Sequence, residues 1–241
     1  MTASNQAHFV AVERERIQLE YERRAREISP DQYAPWQASA RFMLDSRNRK
    51  AAAMLHSLDA FPKPGDQCLE VGFGALGWLS ELISWGVREP DLFGLELDPS
   101  RARKAQRVLP VADLRIGDAV SLPWNDGKFK LAIASTLFTS VLDHNVRRLI
   151  ANEIVRVLAP GGALLWYDFA YDNPSNANVQ GIKRAEIKSL FPELQSAISS
   201  VTLAPPLTRL IAPRWWTLAS LLESIPFLRT HLIAVLIKKH S

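Results

Sequence analysis

The sequence predicts an α/β fold, a parallel β-sheet with helices on both faces. Three observations carry that expectation. Beyond Phe61-Pro62-Lys63-Pro64-Gly65, short apolar runs alternate with amphipathic helical stretches. In 145–158, Val146, Leu149, Ile150, Ile154, Val157 and Leu158 recur at helical spacing, and Pro160-Gly161-Gly162 follows as a stop signal. Residues 67–71 lead directly into Gly72-Phe73-Gly74-Ala75-Leu76-Gly77, a glycine turn between a strand and a helix.

Taken in order, residues 9–27 are highly charged and rich in helix formers, and predict a solvated helix lying on the core. Ser29-Pro30 and Ala34-Pro35 break it, and a second helix is expected over 36–58. Strands are expected at 67–71, 92–96, 114–116, 129–135 and 163–167. Helices are expected at 76–85, 99–108 and 145–158. Two further strands, 201–203 and 232–237, are separated by a segment too long for a hairpin turn. That segment holds Pro205-Pro206, Pro213, Trp215-Trp216 and a helix through 218–222. The expected organisation is an N-terminal helical cap at 1–62 and a ligand-binding domain at 63–241, with a lid-like insertion at 204–229.

Composition bounds the functional classes. With 241 residues and 47% hydrophobic content, the chain has enough apolar surface for one sizeable core. A single cysteine, Cys68, leaves no intrachain disulfide and no multi-cysteine metal site. The longest apolar runs fall well short of the ~20 residues that span a bilayer. Glu13, Arg14, Glu15 and Arg16 stand where a secretory signal would be apolar, so a cytoplasmic location is expected. The net charge of +4 permits contact with nucleic acid without demanding it.

Taken literally, Gly72, Gly74 and Gly77 spell G-x-G-x-x-G, so an NAD-dependent oxidoreductase is one reading. Three carboxylates favour another. Glu70 ends the first strand, where a pyrophosphate would find it repulsive and a cationic ligand end would not. Glu96 ends the second strand, placed to bond both ribose hydroxyls. Asp118, in Gly117-Asp118-Ala119, follows the third strand and can accept from an adenine amine. Together they describe a site for an adenosine without phosphates.

At these residues the chain resembles the class I S-adenosylmethionine-dependent methyltransferases. The resemblance runs through Leu69-Glu70-Val71-Gly72-Phe73-Gly74, Gly94-Leu95-Glu96-Leu97-Asp98-Pro99-Ser100 and Gly117-Asp118-Ala119. It continues through Leu122-Pro123-Trp124 and Arg156-Val157-Leu158-Ala159-Pro160-Gly161-Gly162, covering about residues 63–168. It implies a Rossmann-like seven-stranded, mostly parallel sheet with an antiparallel last strand, and S-adenosylmethionine as cofactor. It further implies that Glu70 and the backbone of Gly72 and Gly74, with Phe73 between them, hold the methionine part. Glu96 would hold the ribose, Leu97 would pack on the adenine, and Asp118 and Ala119 would read its edge, with Ser135 at the end of the fourth strand. Two departures stand out. The third glycine comes one residue late, which puts the role of Gly77 in question. The fourth strand opens Phe129-Lys130 in place of Phe-Asp, read as a change at the sheet edge. Leu165-Trp166-Tyr167-Asp168-Phe169, Asp172-Asn173-Pro174-Ser175-Asn176, Leu203-Ala204-Pro205-Pro206-Leu207 and Leu228-Arg229-Thr230-His231 are similar to a branch found in polysaccharide and natural-product biosynthesis. That points to a small-molecule or glycan acceptor.

Methyl transfer to a hydroxyl needs a base near the proton. Candidate catalytic residues are Asp168 after the fifth strand and Asp143 and His144 after the fourth, with His231 opening the last. Asp143 fits a helix N-cap equally well. Ser135 and Thr136 stand where a metal-dependent enzyme would carry a carboxylate, so no metal is expected. Methylators of amino groups often carry Asn/Asp-Pro-Pro-Tyr after the fourth strand. Ser135-Thr136-Leu137-Phe138 occupies that place, which favours an oxygen acceptor. A nucleic-acid methyltransferase is the alternative within enzymes, resting on Arg101, Arg103, Lys104 and Arg107 of one helix. A cofactor-binding regulatory protein without catalysis is a third class. The apolar segment around Trp215-Trp216 suggests core packing, an acceptor pocket, or peripheral contact with a membrane or lipid-linked substrate.

Overall fold

The computed structural model describes residues 3–34, 36–74, 76–173 and 176–239; Pro35, Ala75, Pro174 and Ser175, singled out above, lie outside them. Seven strands form one sheet: β1 (Cys68–Val71), β2 (Leu92–Glu96), β3 (Asp113–Ile116), β4 (Phe129–Ser135), β5 (Leu158–Phe169), β6 (Leu194–Leu203) and β7 (Arg229–Lys238). Their order across the sheet is β3-β2-β1-β4-β5-β7-β6. β7 runs antiparallel to both neighbours, and the other six strands are mutually parallel. Helices are α1 (Ala3–Glu27), α2 (Ala38–Ser57), α3 (Leu79–Ser84), α4 (Pro99–Val108), α5 (His144–Val157), α6 (Arg184–Leu190), α7 (Pro205–Ile211) and α8 (Trp216–Ser224).

Alternation along each strand sends successive side chains to opposite faces and so builds two cores. Leu69, Val71, Ala132, Ala134, Leu164, Trp166, Ala234 and Leu236 meet Val146, Ile150 and Ile154 of α5 and Ile187 of α6. Cys68, Leu131, Ile133, Leu165, Ile233 and Val235 point the other way, towards Ala51 and Leu55 of α2, Leu79 and Leu82 of α3 and Ala102 and Ala105 of α4. The central strands are apolar on both faces, which is why they read as continuous hydrophobic runs.

Several elements differ from the sequence expectations, α3 and β6 for identifiable physical reasons. α3 starts at Leu79, three residues later than expected, because the carboxylate of Glu70 accepts from the N–H groups of Trp78 (2.6 Å) and Leu79 (3.1 Å). That side chain, coming from β1, supplies the cap that the turn's own residues lack. Strand β6 begins at Leu194, seven residues before 201–203. Gln195, Ser196, Ser199 and Ser200 conceal it because it is an edge strand, where polar side chains meet solvent. The short helices α6 and α7 were not foreseen. Lys130 opens β4, which lies at the centre of the sheet and not at its edge, and its ammonium donates to the Gly161 carbonyl at 2.9 Å.

The order of connection reverses between β1 and β4. The crevice beyond the carboxyl ends of these two strands is therefore the expected ligand site. Gly77 sits below it at φ +49°, and a Cβ there would lie 2.2 Å from the Glu70 carboxylate. Gly77→Ala is expected to cost about 2–4 kcal/mol, through left-handed backbone strain and displacement of the Glu70 cap. Urea unfolding measures the loss, and an unchanged midpoint would show that the cap is dispensable.

Candidate active site

The glycine turn is held from two sides by carboxylates. Glu70, buried beneath it, fixes the start of α3. Glu96, buried at the end of β2, accepts from Gly74 N–H (2.7 Å) and from Asp98 N–H (2.9 Å). A carboxylate offers about four lone-pair directions, so Glu96 retains capacity for two more donors. Gly72 has φ +77°, and a Cβ there would press on Leu137 at 3.1 Å, so the backbone approaches the loop after β4 closely. Phe73 does not face the crevice. Its ring is buried against the Cα of Gly94, where a Cβ would lie 2.5 Å from it, so its side chain is part of the core.

A narrow cleft of about 50 Å³ opens at this place, lined by Gly72, Glu96, Leu97, Asp118, Ala119 and Leu137, among others. Two of its walls come from α1, Ile17 and Tyr21, which sequence reasoning did not connect to the site. The helix is tied down by polar anchors beside the packing of Val10 and Ile17 against the core. Glu13 accepts from Leu142 N–H, Arg16 donates to the Ser140 carbonyl, and Glu20 accepts from Asn176 (3.1 Å) and Asn178 (2.9 Å). The Arg101 guanidinium lies 4.1 Å over the Tyr21 ring. Burial, and the nearby charge of Glu96, raise the Tyr21 pKa. The partners of Glu13, Arg16 and Glu20 lie more than a hundred positions away, so no local pattern announced them.

The nominated acceptor-side residues have structural partners. Asp168 is fully buried and accepts from the Thr139 hydroxyl (2.5 Å) and from Phe138 and Thr139 N–H (both 3.3 Å). Burial pushes its pKa up to about 7, against the pull of those donors. Asp143 caps α5, accepting from Asn145 (2.7 Å) and Val146 (3.0 Å). His144 is open to solvent, its side chain 67% exposed, with Nδ1 3.4 Å from Glu186. His231 is buried and stacked on Tyr167 with ring centroids 4.8 Å apart, and burial lowers its pKa to about 3, so it is neutral. Ser135 ends β4, and Thr136 follows at φ +52°, a strained conformation for a β-branched residue. The cleft brings together Gly72, Glu96, Leu97, Asp118 and Ala119; Asp143, His144 and Asp168 do not line it.

Arg47 of α2 is a second residue the sequence did not mark. Its guanidinium lies 4.0 Å over the Trp78 ring and 5.7 Å from that of Tyr167, and its Nε bonds to Asn48 Oδ1 at 3.0 Å. Burial lowers its pKa, and Glu70 is among the charges that counter this. The indole N–H of Trp78 is buried without a hydrogen-bond partner among the described residues. A buried cation and an orphan donor beside a glycine turn fit a ligand with a carboxylate.

The fold is an open α/β sheet with a cleft at its switch point. Residues 69–166 match the family described as a methyltransferase domain. Norajmaline N-methyltransferase of Rauvolfia serpentina is 27% identical over 167 residues, covering 66% of this chain and 54% of that one. Demethylmenaquinone methyltransferase of Mycolicibacterium gilvum is 29% identical over 140 residues, covering 57% and 56%. A SAM-dependent methyltransferase structure from Thermotoga maritima superposes with a TM-score of 0.61 at 17% identity, over 87% of this chain and 95% of that one. The chain spans 36% to 62% of the length of the curated relatives it matches. Residues 69–166 therefore carry a methyltransferase domain, and the chain shares the fold of S-adenosylmethionine-dependent methyltransferases.

Two outcomes follow for this site. The folded-state pKa of Asp168 lies above its ordinary 3.8, so the native state binds the extra proton between about pH 4 and pH 7. Its contribution is full below pH 4 and is lost as pH rises through 7. Asp168→Asn should flatten that decline by up to about 1.4 kcal/mol per pH unit, read from urea unfolding across the range. Tyr21→Ala enlarges the cleft, and stopped-flow fluorescence should record S-adenosylhomocysteine associating severalfold faster. An unchanged rate would mean that α1 does not restrict entry.

Proposed function

We propose that the chain transfers a methyl group from S-adenosylmethionine to the hydroxyl of a small-molecule acceptor. The observation that carries this reading is the cleft between the glycine turn and Glu96, walled by Leu97, Asp118 and Ala119. Its chemistry suits an adenosyl group: an apolar slot for a base, with a carboxylate at the ribose end. Glu96 would hold the ribose hydroxyls, Leu97 and Ala119 would enclose the adenine, and Asp118 would accept from its amine. Glu70 and Arg47, on the other side of the turn, would face the amino and carboxylate groups of the methionine end.

S-adenosylmethionine supplies a methyl group already activated on a sulfonium. The protein's task is then to place the acceptor and keep water out, and positioning alone can supply much of the rate. In this reading Asp168 acts through the loop after β4, whose Phe138 and Thr139 N–H groups it holds, and is a positioning residue. Asp143 orients the same loop by capping α5. Among the three nominated groups, His144 remains as an exposed base at the rim. Helix α1, lying across the cleft, would exclude water from the bound adenosyl group. Support for a small-molecule acceptor comes from the quinone and alkaloid substrates in the relatives' names. Ser135-Thr136-Leu137-Phe138, in place of an amide-proline motif, supports oxygen over nitrogen.

Calorimetry with S-adenosylhomocysteine and with NADH tests the cofactor, and labelled S-adenosylmethionine with cell extract tests the acceptor. S-adenosylhomocysteine should bind and NADH should not. Glu96→Gln should weaken that binding by roughly 10- to 100-fold, the worth of charge-assisted hydrogen bonds. Label found on nitrogen or carbon would overturn the hydroxyl assignment.

A further inference from the structure

The segment that joins β6 to β7 has two apolar faces, and the fold covers one. On the inner side Phe42 of α2 is buried with Leu203, Ala212 and Ala219, and Phe42 meets Trp216 edge-on at 5.0 Å. On the outer side Leu210 is 66% exposed, Trp215 59%, Leu221 63% and Phe227 78%, with Trp216 and Leu218 also open. A helical pair apolar on both faces suits a medium other than water on its outer side.

Charge selects the medium. Arg209 and Arg214 are exposed on this segment. Its one carboxylate, Glu223, turns inward and accepts from Ser46 Oγ (2.5 Å) and Leu203 N–H (3.2 Å). The outer face of the segment therefore carries cations, indoles and aliphatic side chains and no carboxylate of its own. Arginine stems lie along apolar surface while their heads reach polar groups, and tryptophan does the same with its N–H. A symmetric contact between two copies would set these guanidinium groups against one another with no carboxylate to answer them. Strand polarity places the face at the site. Leu203 pairs with Arg229 and Phe169 with His231, so the segment leaves the sheet at the rim where β1, β4 and β5 also end.

We infer that residues 204–229 dock the chain on an anionic lipid bilayer. Trp215 and Phe227 enter the headgroup layer, and Arg209 and Arg214 meet lipid phosphates. The docking is independent of the acceptor and of catalysis.

Co-sedimentation of the full chain with vesicles tests it, using phosphatidylcholine alone and phosphatidylcholine mixed with phosphatidylglycerol. Binding to the mixed vesicles and little to the neutral ones is expected. Arg209→Gln with Arg214→Gln should lower the partition by roughly 30-fold. Trp215→Ser with Phe227→Ser should abolish it. These side chains are exposed, so melting temperatures and S-adenosylhomocysteine affinity should stay unchanged, and that affinity separates this result from the cofactor reading. No sedimentation of the folded native chain with either vesicle overturns the inference, as does binding that no variant weakens. Self-association relieved by Trp215→Ser with Phe227→Ser, without vesicle binding, assigns the face to a second copy instead.

Discussion

The fold's ligand-binding end depends on one buried contact, the Glu70 carboxylate on the N–H groups of Trp78 and Leu79 at the start of α3. A strand side chain here does the work of a helix cap, so the turn between strand and helix need not contain a capping residue of its own. The arrangement is possible because Gly77 has no Cβ where the carboxylate sits. Burial raises the Glu70 pKa to about 8, and the N–H groups and Arg47 pull against that rise. The turn so fixed presents Gly74 N–H to Glu96, which closes the crevice on its other side.

The same device recurs beyond β4. Asp168, on β5, reaches across to Phe138 and Thr139 and holds the loop that borders Gly72. Buried carboxylates bonded to backbone thus fix both sides of the crevice. Each is an expensive group to bury, and each accepts from donors of a neighbouring element, with a guanidinium (Arg47 or Arg147) adding to them. Precision in the loops is obtained by tying their backbone to side chains of the strands.

The elements outside the sheet's basic plan meet at this same end. Helix α1 crosses the cleft through polar anchors, leaving little room around Glu96 while Tyr21 is in place. The inner face of the segment that holds α7 and α8 is packed on α2, and its outer face is exposed. α2 itself is a layer of the sheet's core through Ala51 and Leu55, and brings Arg47 to the turn.

The sequence by itself determined the strand–helix alternation, the glycine turn and the carboxylates at the ends of β1 and β2. These follow from local periodicity and from spacing within a short stretch of chain. It also marked the antiparallel final pair, through the resemblance that Glu70, Gly72, Gly74 and Glu96 carry. Only the tertiary structure decided what those carboxylates touch, where α3 starts, and that Asp168 holds a loop. It alone brought Tyr21 and Arg47 to the site, because their partners lie far along the chain and their own helices carry no pattern that points there. Burial and long-range hydrogen bonding are properties of the folded chain; periodicity records which face a residue takes, and not what it will meet.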